Sequence, residues 1–158
     1  MQKIISKSFL LLILLLTVNC GFKVINETEN NNFTIQDIKS FGDKRINFKI
    51  KNNLLTYSKT DGKNILFLNL KTKKNKSIKE KNIKNEITKY QISLDVNVTF
   101  NLINSDLDYV INLSSVGDYL VADNYSTTLN NEKKLITNLV ENISEKIIKK
   151  ISLQLDDI

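Results

Sequence analysis

From Tyr90 to Leu102 apolar and polar residues alternate without a break. Tyr90, Ile92, Leu94, Val96, Val98, Phe100 and Leu102 form one row, and Gln91, Ser93, Asp95, Asn97, Thr99 and Asn101 form the other. Successive side chains on a strand point to opposite faces, so this pattern sorts every apolar group to one side. A helix built from the same residues would scatter them around its surface. The segment therefore demands a sheet with one buried and one wet face, the habit of antiparallel sheets. The rest of the chain has to cover the buried face.

The cover is legible at the C-terminus. Leu135, Ile136, Leu139, Val140, Ile143, Ile147, Ile148, Ile151 and Leu155 recur at steps of three and four. That spacing puts an apolar stripe along one side of a helix running from about Glu132 to Leu155. Lys133, Lys134, Asn138, Glu141, Asn142, Glu145 and Lys149 fill the other side, and Asn130 or Ser126 is placed to cap it. Upstream, Phe33-Thr34-Ile35-Gln36 alternates as a short strand, and Ser40 to Asp43 reads as a turn whose Asp43 caps a helix. Ile46, Ile50, Leu54 and Tyr57 fall at helical spacing, although Ile46, Phe48 and Ile50 also alternate. Helix is the reading adopted for residues 44–58. Ile65 to Leu70 is an apolar run of strand length after an Asp61-Gly62 turn. Asn104-Ser105-Asp106 turns the chain into a last strand from Tyr109 to about Val121, kinked near Gly117. The order is strand, helix, three strands, helix. It predicts an α+β two-layer sandwich, with two helices packed on one face of a mostly antiparallel four-stranded sheet.

The N-terminus has a different logic. Lys3 and Lys7 precede an unbroken apolar run from Phe9 to Leu16, and Cys20 follows after Thr17-Val18-Asn19. The run is too short for a bilayer span, which needs about 20 apolar residues. A positive start, a short apolar core and a cleavage region form a secretory signal. Residues 1–19 are expected to be removed. Cys20 is the sole cysteine, so an exported chain cannot close an internal disulfide with it. Its position after the apolar run resembles the bacterial lipobox, whose cysteine receives a diacylglyceryl group and becomes the mature N-terminus. Thr17 and Asn19 stand where that motif usually has Leu and a small residue. Residues 20–32 then read as a lipidated tether and 33–158 as a single domain.

Composition removes several classes of chemistry. There is no histidine, which is the commonest general base near neutral pH. Only four glycines occur, scattered, and form no phosphate-cradling loop. No His/Cys cluster suggests zinc. Asp106 and Asp108 share a turn and read as solvated loop residues. The expectation is a protein without enzymatic activity, metal or cofactor. Net charge is +6, falling to +4 when Lys3 and Lys7 leave. A basic balance suits anionic partners, and export argues against nucleic acid. Between Lys71 and Lys89 stand eight lysines (Lys71, Lys73, Lys74, Lys76, Lys79, Lys81, Lys84 and Lys89), opposed only by Glu80 and Glu86. Two readings stay open here. One is a solvated hairpin whose lysines deter edge pairing; the other is an anion-binding surface, where lysine point charges suit phosphates held without strict geometry.

Taken with the element order, three stretches resemble the LptE family of outer-membrane lipoproteins. Cys20-Gly21-Phe22 is similar to the family's mature start, Cys-Gly-aromatic. Thr88-Lys89-Tyr90-Gln91-Ile92-Ser93-Leu94 resembles its basic entry into the alternating strand, with Lys in place of the usual Arg. Asp123-Asn124-Tyr125-Ser126 and the following helix resemble its last strand-to-helix step. The resemblance implies a lipid-anchored, periplasm-facing protein of the outer membrane that binds lipopolysaccharide. It implies a large β-barrel partner, LptD, which the lipoprotein plugs and helps to assemble. By this carry-over Lys84 and Lys89, with Lys81 nearby, are the lipopolysaccharide contacts, and Cys20 is the lipid attachment site. The competing expectation is an auxiliary lipoprotein of an ABC-type envelope lipid-transport system.

Overall fold

The structure is a computed structural model that describes residues 32–105 and 107–156. The expected signal (1–19), Cys20, nearly all of the expected tether, and Asp106 lie outside those residues. Six elements follow in the predicted order: β1 (Phe33–Gly42), α1 (Lys44–Tyr57), β2 (Asn64–Lys81), β3 (Ile87–Leu102), β4 (Tyr109–Leu120) and α2 (Tyr125–Asp156). The four strands form one sheet in the order β1-β2-β3-β4. β1 runs parallel to β2, with α1 as the crossover that parallel neighbours require, and the other two pairs are antiparallel. The α+β sandwich read from the sequence is the fold observed.

The alternating strand sits where its pattern demands. Ile92, Leu94, Val96, Val98 and Phe100 are buried between Leu66, Leu68 and Leu70 of β2 and Ile111 of β4, under the two helices. β1 is longer than the expected Phe33–Gln36. A bulge between Ile35 and Asp37 absorbs one residue, so Ile38 faces the core as Phe33 and Ile35 do despite its even number. The turn expected at Ser40–Asp43 is confined to its last residues. Gly42 has φ +101°, and a Cβ there would lie 2.0 Å from the Thr72 carbonyl oxygen, so only glycine fits.

Asp43 caps α1, its Oδ1 accepting from the Arg45 and Ile46 N–H groups at 3.0 and 3.1 Å. The ambiguous segment is helical: Ile46, Ile50 and Leu54 are buried, whereas Phe48 is 66% exposed on the opposite side. α2 begins earlier than its stripe. Its cap is neither Asn130 nor Ser126, both of which lie inside the helix, but Asn124, whose Oδ1 accepts from the Thr127 N–H at 2.7 Å. Gly117 does not break β4, which pairs with β3 in unshifted register from Tyr109 to Leu120. The glycine instead leaves room for α2: a Cβ would stand 2.5 Å from Leu135 Cδ1. Among the described residues the fully buried polar ones, Asn47, Thr72 and Ser144, are hydrogen-bonded, as with Thr72 Oγ1 donating to Asn47 Oδ1 at 2.7 Å, whereas Thr88 Oγ1 and Gln154 Oε1 are sheltered without a partner.

Candidate functional site: a lysine-bearing hairpin

β2 does not stop at Leu70, where its apolar run ends. It continues to Lys81 and pairs with β3 along nearly its whole length. Eighteen residues of strand extend roughly 60 Å. β1 starts opposite Asn64 and runs in the same direction as β2. Phe33, where the N-terminal segment enters the fold, is therefore at one pole of the sheet. The β2–β3 turn is at the other.

That turn is tightly built. The Asn82 N–H donates to the Glu86 carbonyl and the Asn85 N–H to the Asn82 carbonyl, both at 2.9 Å. Asn82 Oδ1 accepts from the Lys84 and Glu86 N–H groups at 2.9 and 3.0 Å, and its Nδ2 donates to Glu86 Oε2 at 2.7 Å. Asn85 adopts φ 65°, a left-handed conformation that asparagine tolerates better than most residues. Lys81 Nζ donates to Asn85 Oδ1 at 2.9 Å. One Asn side chain thus replaces the hydrogen bonds that a tip beyond the sheet would otherwise leave to water.

Apart from Lys89, the lysines divide into three groups. Lys71 and Lys73 lie on the outer face of the sheet, opposite Asn97 and Asp95. They border an open groove of about 710 Å³ whose far side is Asn112 and Ser114. Its polar groups are largely turned on each other: Asn97 Nδ2 donates to Asn112 Oδ1 at 2.6 Å and Ser114 Oγ to Asp95 Oδ1 at 2.7 Å. Lys74 and Lys76 lie on the inner face and are paired, Lys74 with Asp43 at 3.9 Å and Lys76 with Glu132 at 2.7 Å. Lys79, Lys81 and Lys84 surround the tip, and none has a carboxylate within ion-pair distance among the described residues.

The proposed contacts are therefore only partly gathered. Lys81 and Lys84 share the apex. Lys89 is set back along β3 and bonded to Glu80 Oε2 at 2.8 Å; this hydrogen bond and the Glu80 charge raise its pKa. Lys89 stays cationic, but its charge is already shared.

Sequence reading missed the cluster that holds the hairpin to the helices. Lys76 Nζ lies 4.4 Å from the Tyr90 ring centre and 5.2 Å from that of Tyr119, and the two rings stack at 5.6 Å. The Tyr119 hydroxyl donates to the same Glu132 oxygen at 2.9 Å. Burial disfavours both charges, but the hydrogen bonds and mutual attraction outweigh it. The Lys76 pKa is raised and that of Glu132 lowered. Tyr119 is raised, mainly by burial. The available signal was Tyr90 and Tyr119 on inward-facing positions of adjacent strands. Among the described residues no three His, Cys, Asp or Glu side chains converge to ligate a metal.

No protein-family model matches this sequence, and no curated protein matches it. Solved structures do share its fold. The rare lipoprotein B of Shewanella oneidensis superposes with a TM-score of 0.60 at 12% identity, covering 79% of this chain and 96% of that one. A lipoprotein B of Nitrosomonas europaea superposes with a TM-score of 0.56 at 14% identity, covering 86% and 93%.

Proposed function

We propose that the chain is an outer-membrane lipoprotein, anchored through Cys20, that binds lipopolysaccharide and acts as a plug and assembly partner of an LptD-type β-barrel. Its role is binding and positioning rather than catalysis. The observation that carries this reading is the polar layout of the domain. The tethered end at Phe33 and the cationic apex at Lys81 and Lys84 are separated by most of a sheet roughly 60 Å long. A chain held by lipid at one pole can thus present phosphate-binding charge far from its anchor, as a plug reaching along a barrel must. The fold shared with two proteins named lipoprotein B supports the same direction.

Lysines suit the phosphates of lipid A and the inner core because they compete electrostatically with the divalent cations that bridge them. Their grip should weaken with salt. The test is purification of the full chain from native membranes in mild detergent. A single large β-barrel should co-purify in equal amount, with lipopolysaccharide in the complex. Recovery of the chain without a barrel, or with an ATPase and a substrate-binding protein, overturns the reading.

A further inference from the structure

Ile83 stands at the apex of the β2–β3 hairpin, 103% exposed. Polar residues usually occupy such turns, for their ability to bond the backbone. Here Asn82 and Asn85 do that work and leave Ile83 pointing into solvent. The turn that carries it is already closed by its own hydrogen bonds, so little ordering is required on docking. Lys79, Lys81 and Lys84 stand around it without ion-pair partners among the described residues. Of the two nearby carboxylates, Glu80 is bound by Lys89, and Glu86 receives the Asn82 amide and is the one charge opposing the collar. An apolar tip inside a cationic collar complements anionic headgroups lying above acyl chains. A nucleic acid or acidic protein would use the collar and leave Ile83 in water. The two described cavities both lie away from the apex. The tip fits the surface of a lipid layer.

We infer that Ile83 is a lipid-inserting residue, entering the headgroup–acyl boundary of an anionic phospholipid layer while Lys79, Lys81 and Lys84 hold its phosphates. This rests on reading the apex as the lipid-binding end and extends it from headgroup attraction to apolar anchoring. The chain contains no tryptophan, so Ile83→Trp supplies a unique fluorophore. The full-length protein carrying it is reconstituted into phosphatidylcholine vesicles with or without phosphatidylglycerol. Doxyl-labelled quencher lipid is placed either in those vesicles or in added acceptor vesicles, because the apex and the tethered end lie at opposite poles. The expected result is a blue-shifted emission and quenching from at least one of the two layers, only with phosphatidylglycerol present. Both should be lost in 1 M salt, where screening acts over about 3 Å, and with Lys79→Glu, Lys81→Glu and Lys84→Glu combined. Phe48→Trp, on an exposed position of α1 away from both poles, should show neither. Water-exposed emission in every vesicle overturns the inference, as does a shift seen only when lipopolysaccharide is added. Lipopolysaccharide affinity of the same protein is measured separately. If it is retained while Ile83→Trp stays in water, the insertion fails and the proposed function stands. If insertion occurs without lipopolysaccharide affinity, the reverse holds.

Discussion

Lys76 Nζ lies 2.7 Å from Glu132 Oε2, joining the distal half of the longest strand to the second turn of the longest helix. The pair is half-sheltered and further fixed by the Tyr119 hydroxyl and the Tyr90 ring. It therefore ties the distal half of β2 to α2. Glu132→Gln is expected to cost about 1 kcal/mol, since the interaction is charge-assisted but partly screened. The sign follows from the shifts. Glu132 has a depressed pKa, so its contribution is present above the ordinary glutamate range and fades as pH falls through the folded value. Lys76 has a raised pKa, so its contribution is complete below its ordinary value of 10.5 and fades at higher pH. Melting curves should separate wild type from Glu132→Gln at neutral pH and converge in acid. A constant gap down to low pH would mean that the charge plays no part.

Gly42 gives a sharper prediction. Its positive φ and its 2.0 Å approach to backbone cannot be relieved by moving a side chain. Gly42→Ala should cost about 2–3 kcal/mol. Gly117→Ala meets only the end of the Leu135 side chain, which can rotate away, and should cost less. Equal denaturation midpoints for the two would refute this account of both glycines.

The helix stripe predicts a larger loss. Ile143 and Ile147 are wholly buried one turn apart, and Asn142 is exposed. Each Ile→Ala truncation costs about 2–5 kcal/mol, against a whole-domain stability of about 5–15 kcal/mol. The double substitution should leave the domain unfolded or nearly so by circular dichroism, while Asn142→Ala melts as wild type.

Of these features only the helix stripe was readable from periodicity. The β3 alternation and the α2 stripe are long, so their errors average out, and both lie on the faces they specify. Residues 44–58 satisfied two periods at once, and tertiary packing decided between them by leaving Phe48 in solvent. The start of α2 was misplaced because its first turns carry polar residues that bond the β4 end, as Asn131 does to the Leu120 carbonyl at 3.0 Å. The far half of β2 was not legible as a strand, since Ile78 is its one apolar residue and no alternation marks it. It is extended because β3 beside it needs a partner. For the same reason sequence counting could assemble the lysines but not separate paired Lys74, Lys76 and Lys89 from the unpaired apex.

Anchoring makes a prediction that is independent of the fold. Cys20 follows a charged start and an eight-residue apolar run, and it is the chain's only thiol. Cells fed a fatty-acid probe should label the wild-type protein and not Cys20→Ala. The label should fractionate with the outer membrane. Persistent labelling of Cys20→Ala would remove the anchor and leave the domain without its tethered pole.

The lysines decide between a plug and a lipid-binding subunit. Replacing Lys81, Lys84 and Lys89 together with Glu should weaken lipopolysaccharide binding by the full-length protein at low salt. Each exposed charge contact is weak because solvent screens it, so single changes fall near the noise and the triple is the fair comparison. Within the triple, Lys89→Glu should contribute least to binding, because Glu80 already shares its charge. Binding at the apex should fall as salt rises, since exposed charges are screened over about 10 Å at 0.1 M and less above it. Lys81 and Lys84 lie beyond the core, so any loss of stability should come from Lys89→Glu, which replaces the Glu80 ion pair with a like-charge contact. Barrel co-purification should persist if the barrel grips other surfaces. A triple variant that binds lipopolysaccharide as tightly as wild type at low salt would reduce the lysines to a solvated edge, without touching the lipid anchor.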